Sequence, residues 1–110
     1  MTTPSRPSMT RAELSGRATE VASLLKTLAN RNRLMIVCTL VEREFSVSQL
    51  ENELGIQQPT LSQQLTVLRE AGIVQTRRES KQIFYRLSEQ KAAQLVEALH
   101  AIFCAEESGS

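Results

Sequence analysis

The stretch SVSQLENELGIQQPTLSQQLTVLREAGIVQTRRESKQIFYRL, residues 46–87, decides the fold. Ser46 followed by Gln49 has the form of a capping box, in which each side chain satisfies the other residue's backbone N–H and so starts a helix. Val47, Leu50 and Leu54 make the inner face of that helix, and Gly55 follows where a left-handed residue lets the chain turn sharply. Ile56 is the apolar residue of the turn. Pro59 is expected at the first position of the next helix, where its missing N–H costs nothing. That helix carries Leu61, Leu65 and Leu68 inward at spacings of four and three, and Gly72 ends it. Strands are expected over residues 73–76 and 82–87, with Ile83, Tyr85 and Leu87 alternating on one face and a turn over residues 77–81. Two short helices around a Gly-containing turn, followed by a basic hairpin, are the sequence form of a winged helix-turn-helix.

Outward from this stretch the pattern is helical. Residues 1–9 contain Pro4, Pro7 and several Ser/Thr, and are expected to form a loose N-terminal tail. Thr10 and Glu13 make a second capping box, and the helix behind it places Leu14, Ala18, Val21, Leu25 and Leu28 on one stripe. Asn30 can cap a second helix, whose apolar residues Leu34, Met35, Val37, Cys38, Leu40 and Val41 mark it as the central core helix. Ser88 can cap a last helix carrying Leu95, Leu99 and Ile102, with Val96 and Phe103 beside them. The order is helix, helix, helix, helix, strand, strand, helix: a mainly α chain with a small β-hairpin (α+β). The domain is expected to span residues 10–106, with 107–110 a C-terminal tail. The first and last helices, each apolar on one side, are the candidates for a symmetric homodimer interface.

The chain has 110 residues, enough for one small domain, and a formal net charge of only +1. Bulk charge therefore does not announce a nucleic-acid binder, and the case rests on where the charges sit. With 41% hydrophobic residues the chain fits a globular protein. No apolar run approaches the roughly 18 residues that span a bilayer, and the start MTTPSRPSMTR lacks the apolar core of a secretory signal. The expected location is cytoplasmic, with no membrane contact and no cofactor. A permanent disulfide is unusual there, so Cys38 and Cys104 are either inert core residues or working thiols.

The polar face of the fourth helix and its entry carry Gln57, Gln58, Pro59, Thr60, Ser62, Gln63 and Gln64, with no charge until Arg69. Amides and hydroxyls both donate and accept, and a Gln can bond an adenine edge twice. A face without carboxylates can approach an anionic duplex, although glutamines are also simply good helix formers. The hairpin carries Arg77, Arg78 and Lys81 against Glu79, with Arg86 further on. Such a cluster suits phosphates or a narrow minor groove, and it also suits blunting a strand edge.

From about Ala18 to Phe103 the chain resembles the ArsR/SmtB family of dimeric winged-helix repressors. The resemblance is carried by Leu28-Ala29, Arg33-Leu34, residues 50–55, Gln58-Pro59-Thr60-Leu61-Ser62-Gln63-Gln64-Leu65, Leu68-Arg69-Glu70-Ala71-Gly72-Ile73-Val74 and Tyr85-Arg86-Leu87. It implies a dimer on an inverted-repeat operator in double-stranded DNA, with the fourth helix in the major groove and the wing beside it. One common metal site of that family uses Cys-x-Cys at the start of the third helix, where this chain has Ser46 and Ser48. Another uses Asp and His on the last helix, where this chain has His100 with Glu89 and Glu97. Zinc normally takes three or four good ligands, so no metal is expected. RLMIVCTLVE around Cys38 and AIFCAE around Cys104 are similar to the BigR/SqrR-like branch. That resemblance implies a sensor of low-molecular-weight persulfides and other reactive sulfur, in which Cys38 and Cys104 become joined by a disulfide or a longer sulfur chain and DNA is released. The residues themselves leave a second reading open: passive cysteines in a repressor answering a general oxidant, a small molecule or a metal. No catalytic constellation accompanies the single His, and no enzyme is expected.

Overall fold

The computed structural model describes the backbone of residues 10–109 and the side chains of residues 10–104; the tail expected over residues 1–9 lies outside the described residues. The elements run α1 (Arg11–Leu28), α2 (Arg31–Leu40), β1 (Phe45–Ser46), α3 (Val47–Leu54), α4 (Thr60–Glu70), β2 (Val74–Glu79), β3 (Gln82–Leu87) and α5 (Gln90–Gly109). Helix α5 runs past residue 106, where the sequence suggests that the domain ends.

The helix starts follow the local chemistry. Thr10 Oγ1 accepts from the Glu13 N–H at 3.0 Å, and the Glu13 carboxylate accepts from the Thr10 N–H. Asn30 Oδ1 accepts from the Arg33 N–H at 3.0 Å. Ser46 and Gln49 complete their reciprocal pair at 2.9 and 3.1 Å. Gly55 (φ 68°) and Gly72 (φ 77°) take the left-handed turns that end α3 and follow α4. The core lies where α2 is enclosed by the rest of the chain. Ile36, Val37 and Leu40 from α2 meet Phe45, Leu50, Leu61, Leu65, Leu68, Ile73, Val74, Ala92 and Val96, all buried.

Several expectations are corrected. The hairpin is part of a three-stranded antiparallel sheet in the order β1-β3-β2, because Phe45 and Ser46 pair with Tyr85 and Phe84. Two residues are too few for alternation to reveal a strand. The hairpin turn is Ser80-Lys81 rather than residues 77–81, since Arg77 and Arg78 pair with Phe84 and Ile83 inside the ladder. Helix α4 begins at Thr60, leaving Pro59 at the N-cap instead of the first helical position. Ser88 does not cap α5: its hydroxyl donates to the Gly72 carbonyl at 3.0 Å, and the Glu89 carboxylate accepts from the Lys91 N–H at 2.9 Å in its place. Within α2, Val37 and Leu40 are buried as expected, while Met35 is exposed and Ile36, not among the expected core residues, is fully buried.

The apolar faces of α1 and α5 remain open in the single chain. Leu14, Val21 and Leu25 on α1 are exposed, and Ile102 (67%) and Phe103 (72%) stand out from α5. Leu14, Val21, Leu24 and Leu25 line an open groove of about 470 Å³ with Leu95 of α5. No helix among the described residues is long and apolar enough to cross a membrane.

Candidate nucleic-acid interface and thiol pair

Leu61, Leu65 and Leu68 fasten α4 to the core and turn its other side to solvent. Pro59 has no side-chain acceptor, so the first turn of α4 is capped from one residue earlier. Gln58 Oε1 accepts from the Ser62 N–H at 3.0 Å and from the Ser62 hydroxyl at 2.7 Å. Thr66 donates to the Ser62 carbonyl at 2.9 Å. Gln64 is half-buried, and its Oε1 accepts from Arg33 Nη1 at 2.8 Å. Arg33 in turn donates from Nε to the Thr27 carbonyl at 2.6 Å. One guanidinium thus ties the end of α1, the start of α2 and the middle of α4. Among the described residues no side-chain hydrogen bond engages Gln57, Thr60 or Gln63, all on or beside the same outer face. Arg69 is exposed at the far end.

The wing cations divide into two kinds. Arg77 is spent inside the protein: its guanidinium meets the Glu44 carboxylate at 2.6 Å and Glu79 at 2.7 Å, and lies 4.6 Å from the centre of the Phe84 ring. The hydrogen bond from Arg77 holds the Glu44 carboxyl below its ordinary range, and Glu44 and Glu79 together raise the Arg77 guanidinium. Arg78 and Lys81 are exposed and make no ion pair among the described residues, with Lys81 in the turn itself. Arg86 donates to Gln75 across the hairpin at 2.6 Å. The cluster that the sequence presents as four similar cations therefore offers two free ones at its tip, with Arg77 acting as a strut between the wing and the loop before β1.

Cys38 and Cys104 are both half-buried thiols, on the packed pair α2 and α5. Burial pushes the Cys38 thiol up, and the proximity of Cys104 adds to it. The two sulfurs therefore lie near enough for a charge on one to be felt by the other, although 65 residues separate them in the chain. A groove of about 370 Å³ opens beside Cys38, lined also by Val41, Glu42, Val96, Glu97 and His100. His100 precedes Cys104 by one helical turn, on the same face of α5. Ser46, at one candidate metal position, is consumed by its capping box. Among the described residues no three His, Cys, Asp or Glu side chains gather as a metal-holding group.

Sequence reasoning missed the role of Arg33, whose partners Thr27 and Gln64 lie 6 and 31 residues away. It also missed Glu44, which reaches Arg77 across 33 residues. Only an arginine placed between a helix-ending segment and an amide-rich helix hinted at the first, and nothing local hinted at the second.

The profile described as bacterial regulatory protein, arsR family, matches residues 30–76. The chain is 70% identical over 102 residues to a biofilm growth-associated repressor of Xylella fastidiosa (strain 9a5c), covering 93% of this chain and 90% of the other. The crystal structure of the transcriptional repressor BigR from Xylella fastidiosa matches with a TM-score of 0.86 at 70% identity, covering 87% of this chain and 98% of that one. The homodimeric winged helix-turn-helix DNA-binding domain of Mb0332 from Mycobacterium bovis matches with a TM-score of 0.68 at 27% identity, covering 93% and 89%.

Proposed function

This chain belongs to the ArsR family of bacterial regulatory proteins and is a DNA-binding transcriptional repressor, and on that premise we propose that it acts as a sulfur-responsive dimeric switch in the cytoplasm. Two copies pair through α1 and α5 and present two α4 helices to an inverted-repeat operator, at half-sites about 34 Å apart. The exposed apolar residues on α1 and α5 support that pairing, as does the homodimeric state of the Mycobacterium bovis domain. In each half-site α4 enters the major groove, while Arg78, Lys81 and Arg69 supply cations to the phosphate backbone.

The packing of α5 against α2, which sets two half-buried free thiols on adjoining helices, is the observation that carries the switching half of this reading. A low-molecular-weight persulfide, R–S–SH, gives its outer sulfur to one thiolate, producing Cys–S–SH and releasing R–S⁻. The second thiolate attacks the inner sulfur, forming a disulfide and expelling HS⁻; if the second cysteine has itself become a persulfide, the bridge gains a sulfur. Burial raises the Cys38 thiol and lowers its thiolate fraction, which slows attack by that residue. The bridge ties α2 to α5, and α2 meets α4 both through the core and through Arg33. A coupling of about 1–3 kcal/mol would weaken operator binding by roughly 5–150-fold.

The test is an operator titration of the reduced protein, before and after a small-molecule persulfide, with adduct masses read in parallel. We expect release of DNA together with the loss of two hydrogens per subunit, alone or with added sulfur. Cys38→Ser should bind DNA as the reduced wild type does and ignore persulfide. Release of DNA by persulfide-treated Cys38→Ser would refute the thiol bridge and favour a repressor with passive cysteines.

The wing gives a second expectation. Glu44→Gln removes the main partner of Arg77 and frees a cation beside the duplex. Operator affinity should rise at low salt, and the slope of log affinity against log salt should steepen by about one. An unchanged slope, measured by anisotropy titration over a salt series, would leave Arg77 a strut with no reach to phosphate.

A further inference from the structure

The hydrogen bonds inside and around α4 decide which atoms its polar face has left for DNA. A glutamine amide carries one acceptor oxygen and two N–H donors, and it bridges the N6 amine and N7 of an adenine only when both ends are free. The Gln58 oxygen already accepts twice, from the N–H and the hydroxyl of Ser62. The Gln64 oxygen accepts from Arg33 at 2.8 Å, and because a guanidinium only donates, Arg33 fixes which end of that amide faces it. The Gln58 amide keeps only its NH₂ group for a ligand, and the Gln64 amide, its oxygen turned to Arg33, presents its NH₂ group. The Ser62 proton is committed to Gln58 and the Thr66 proton to the Ser62 carbonyl, so each hydroxyl keeps only lone pairs. Gln63 stands on the face of α4 opposite Leu61, Leu65 and Leu68, exposed, with its amide unengaged among the described residues.

We propose that these internal bonds give the recognition helix a fixed hydrogen-bond polarity. Gln63 is the side chain of α4 that grips an adenine by both N6 and N7. Gln58 and Gln64 offer donors alone, to phosphate oxygens or to guanine N7 and O6. Ser62 accepts alone, from the exocyclic amine of an adenine or a cytosine. Arg33 touches no base; it is a positioning residue that presets the Gln64 amide. This assignment rests on the operator-binding reading and names the base chemistry that the same face selects.

The experiment uses the reduced full-length protein and its selected operator, with adenines replaced one at a time by 7-deazaadenine, which lacks the N7 acceptor. In the wild type, one adenine per half-site should show a loss of roughly tenfold, the scale of one good bidentate pair. Gln63→Ala should weaken binding and abolish the sensitivity at that adenine only. Gln64→Glu and Gln58→Glu keep the acceptor oxygens that Arg33 and Ser62 use, so melting temperatures should hold. Both should lose affinity, across all sequences if the partner is phosphate or at one guanine if it is a base, while the adenine sensitivity stays. Insensitivity of the wild type at every adenine would overturn the assignment. So would sensitivity that survives Gln63→Ala or vanishes in Gln64→Glu. A wild type with no salt-dependent affinity for duplex DNA would instead remove the operator reading itself, and this polarity with it.

Discussion

Leu25→Glu combined with Phe103→Glu is expected to split the proposed dimer and to lower operator affinity by about 100-fold or more. Leu25 is 49% exposed on α1 and Phe103 is 72% exposed on α5, and neither belongs to the buried cluster around α2. Each subunit should therefore still fold, which circular dichroism would verify. Placing carboxylates on both apolar faces makes pairing bury unpartnered charge, a cost of several kcal/mol per ion. Once the subunits separate, the second half-site no longer benefits from the first. Linkage of two binding modules commonly multiplies affinity by roughly 10²–10⁴. Sedimentation and operator titration should show a monomer with weak, half-site binding. A variant that sediments as a dimer and binds the full operator as tightly as the wild type would place the subunit contact elsewhere.

Phe45→Ala should have the largest effect on stability. Phe45 is 2% exposed, pairs with Tyr85 through β1, and closes the core between the sheet and α2. The Arg43 guanidinium covers its ring at 3.9 Å from the centroid, so removing the ring also strands a cation contact. A buried Phe→Ala change typically costs about 3–5 kcal/mol through lost burial and the cavity left behind. A domain of this size has about 5–15 kcal/mol in total, so the variant should be marginal at 37 °C. Its melting temperature should fall by on the order of 20 °C in a thermal scan. A fall of only a few degrees would mean that neighbouring side chains collapse into the space.

The helices were legible wherever the signal is local. Thr10 with Glu13, Asn30, Ser46 with Gln49, and Gly55 act over four residues or fewer, and each does in space what its spacing suggests. The spacing of Leu61, Leu65 and Leu68 likewise fixed the inner face of α4. Tertiary choices were not legible. The apolar run of α2 contains more apolar residues than its buried stripe can hold, so periodicity alone did not separate Ile36 from Met35. Arg77 and Arg78 look like turn residues by charge, yet ladder pairing with Phe84 and Ile83 carries the strand to Glu79. Gln64 looks like a free reader until Arg33 is seen to hold its oxygen. The nearness of Cys38 to Cys104 depends on how α5 returns across α2, which no spacing encodes.

Ser46 is both the last residue of β1 and the cap of α3, with no linker between the two duties. Arg77 adds a bolt from the hairpin to Glu44, two positions earlier. The sheet and α3 accordingly follow one another without a connecting loop, while α4 joins the sheet through the short turn at Gly72. On the proposed switch, a displacement that reaches β1 is expected to carry α3 with it. In the proposed dimer each subunit is therefore expected to release its half-site with wing and helices together.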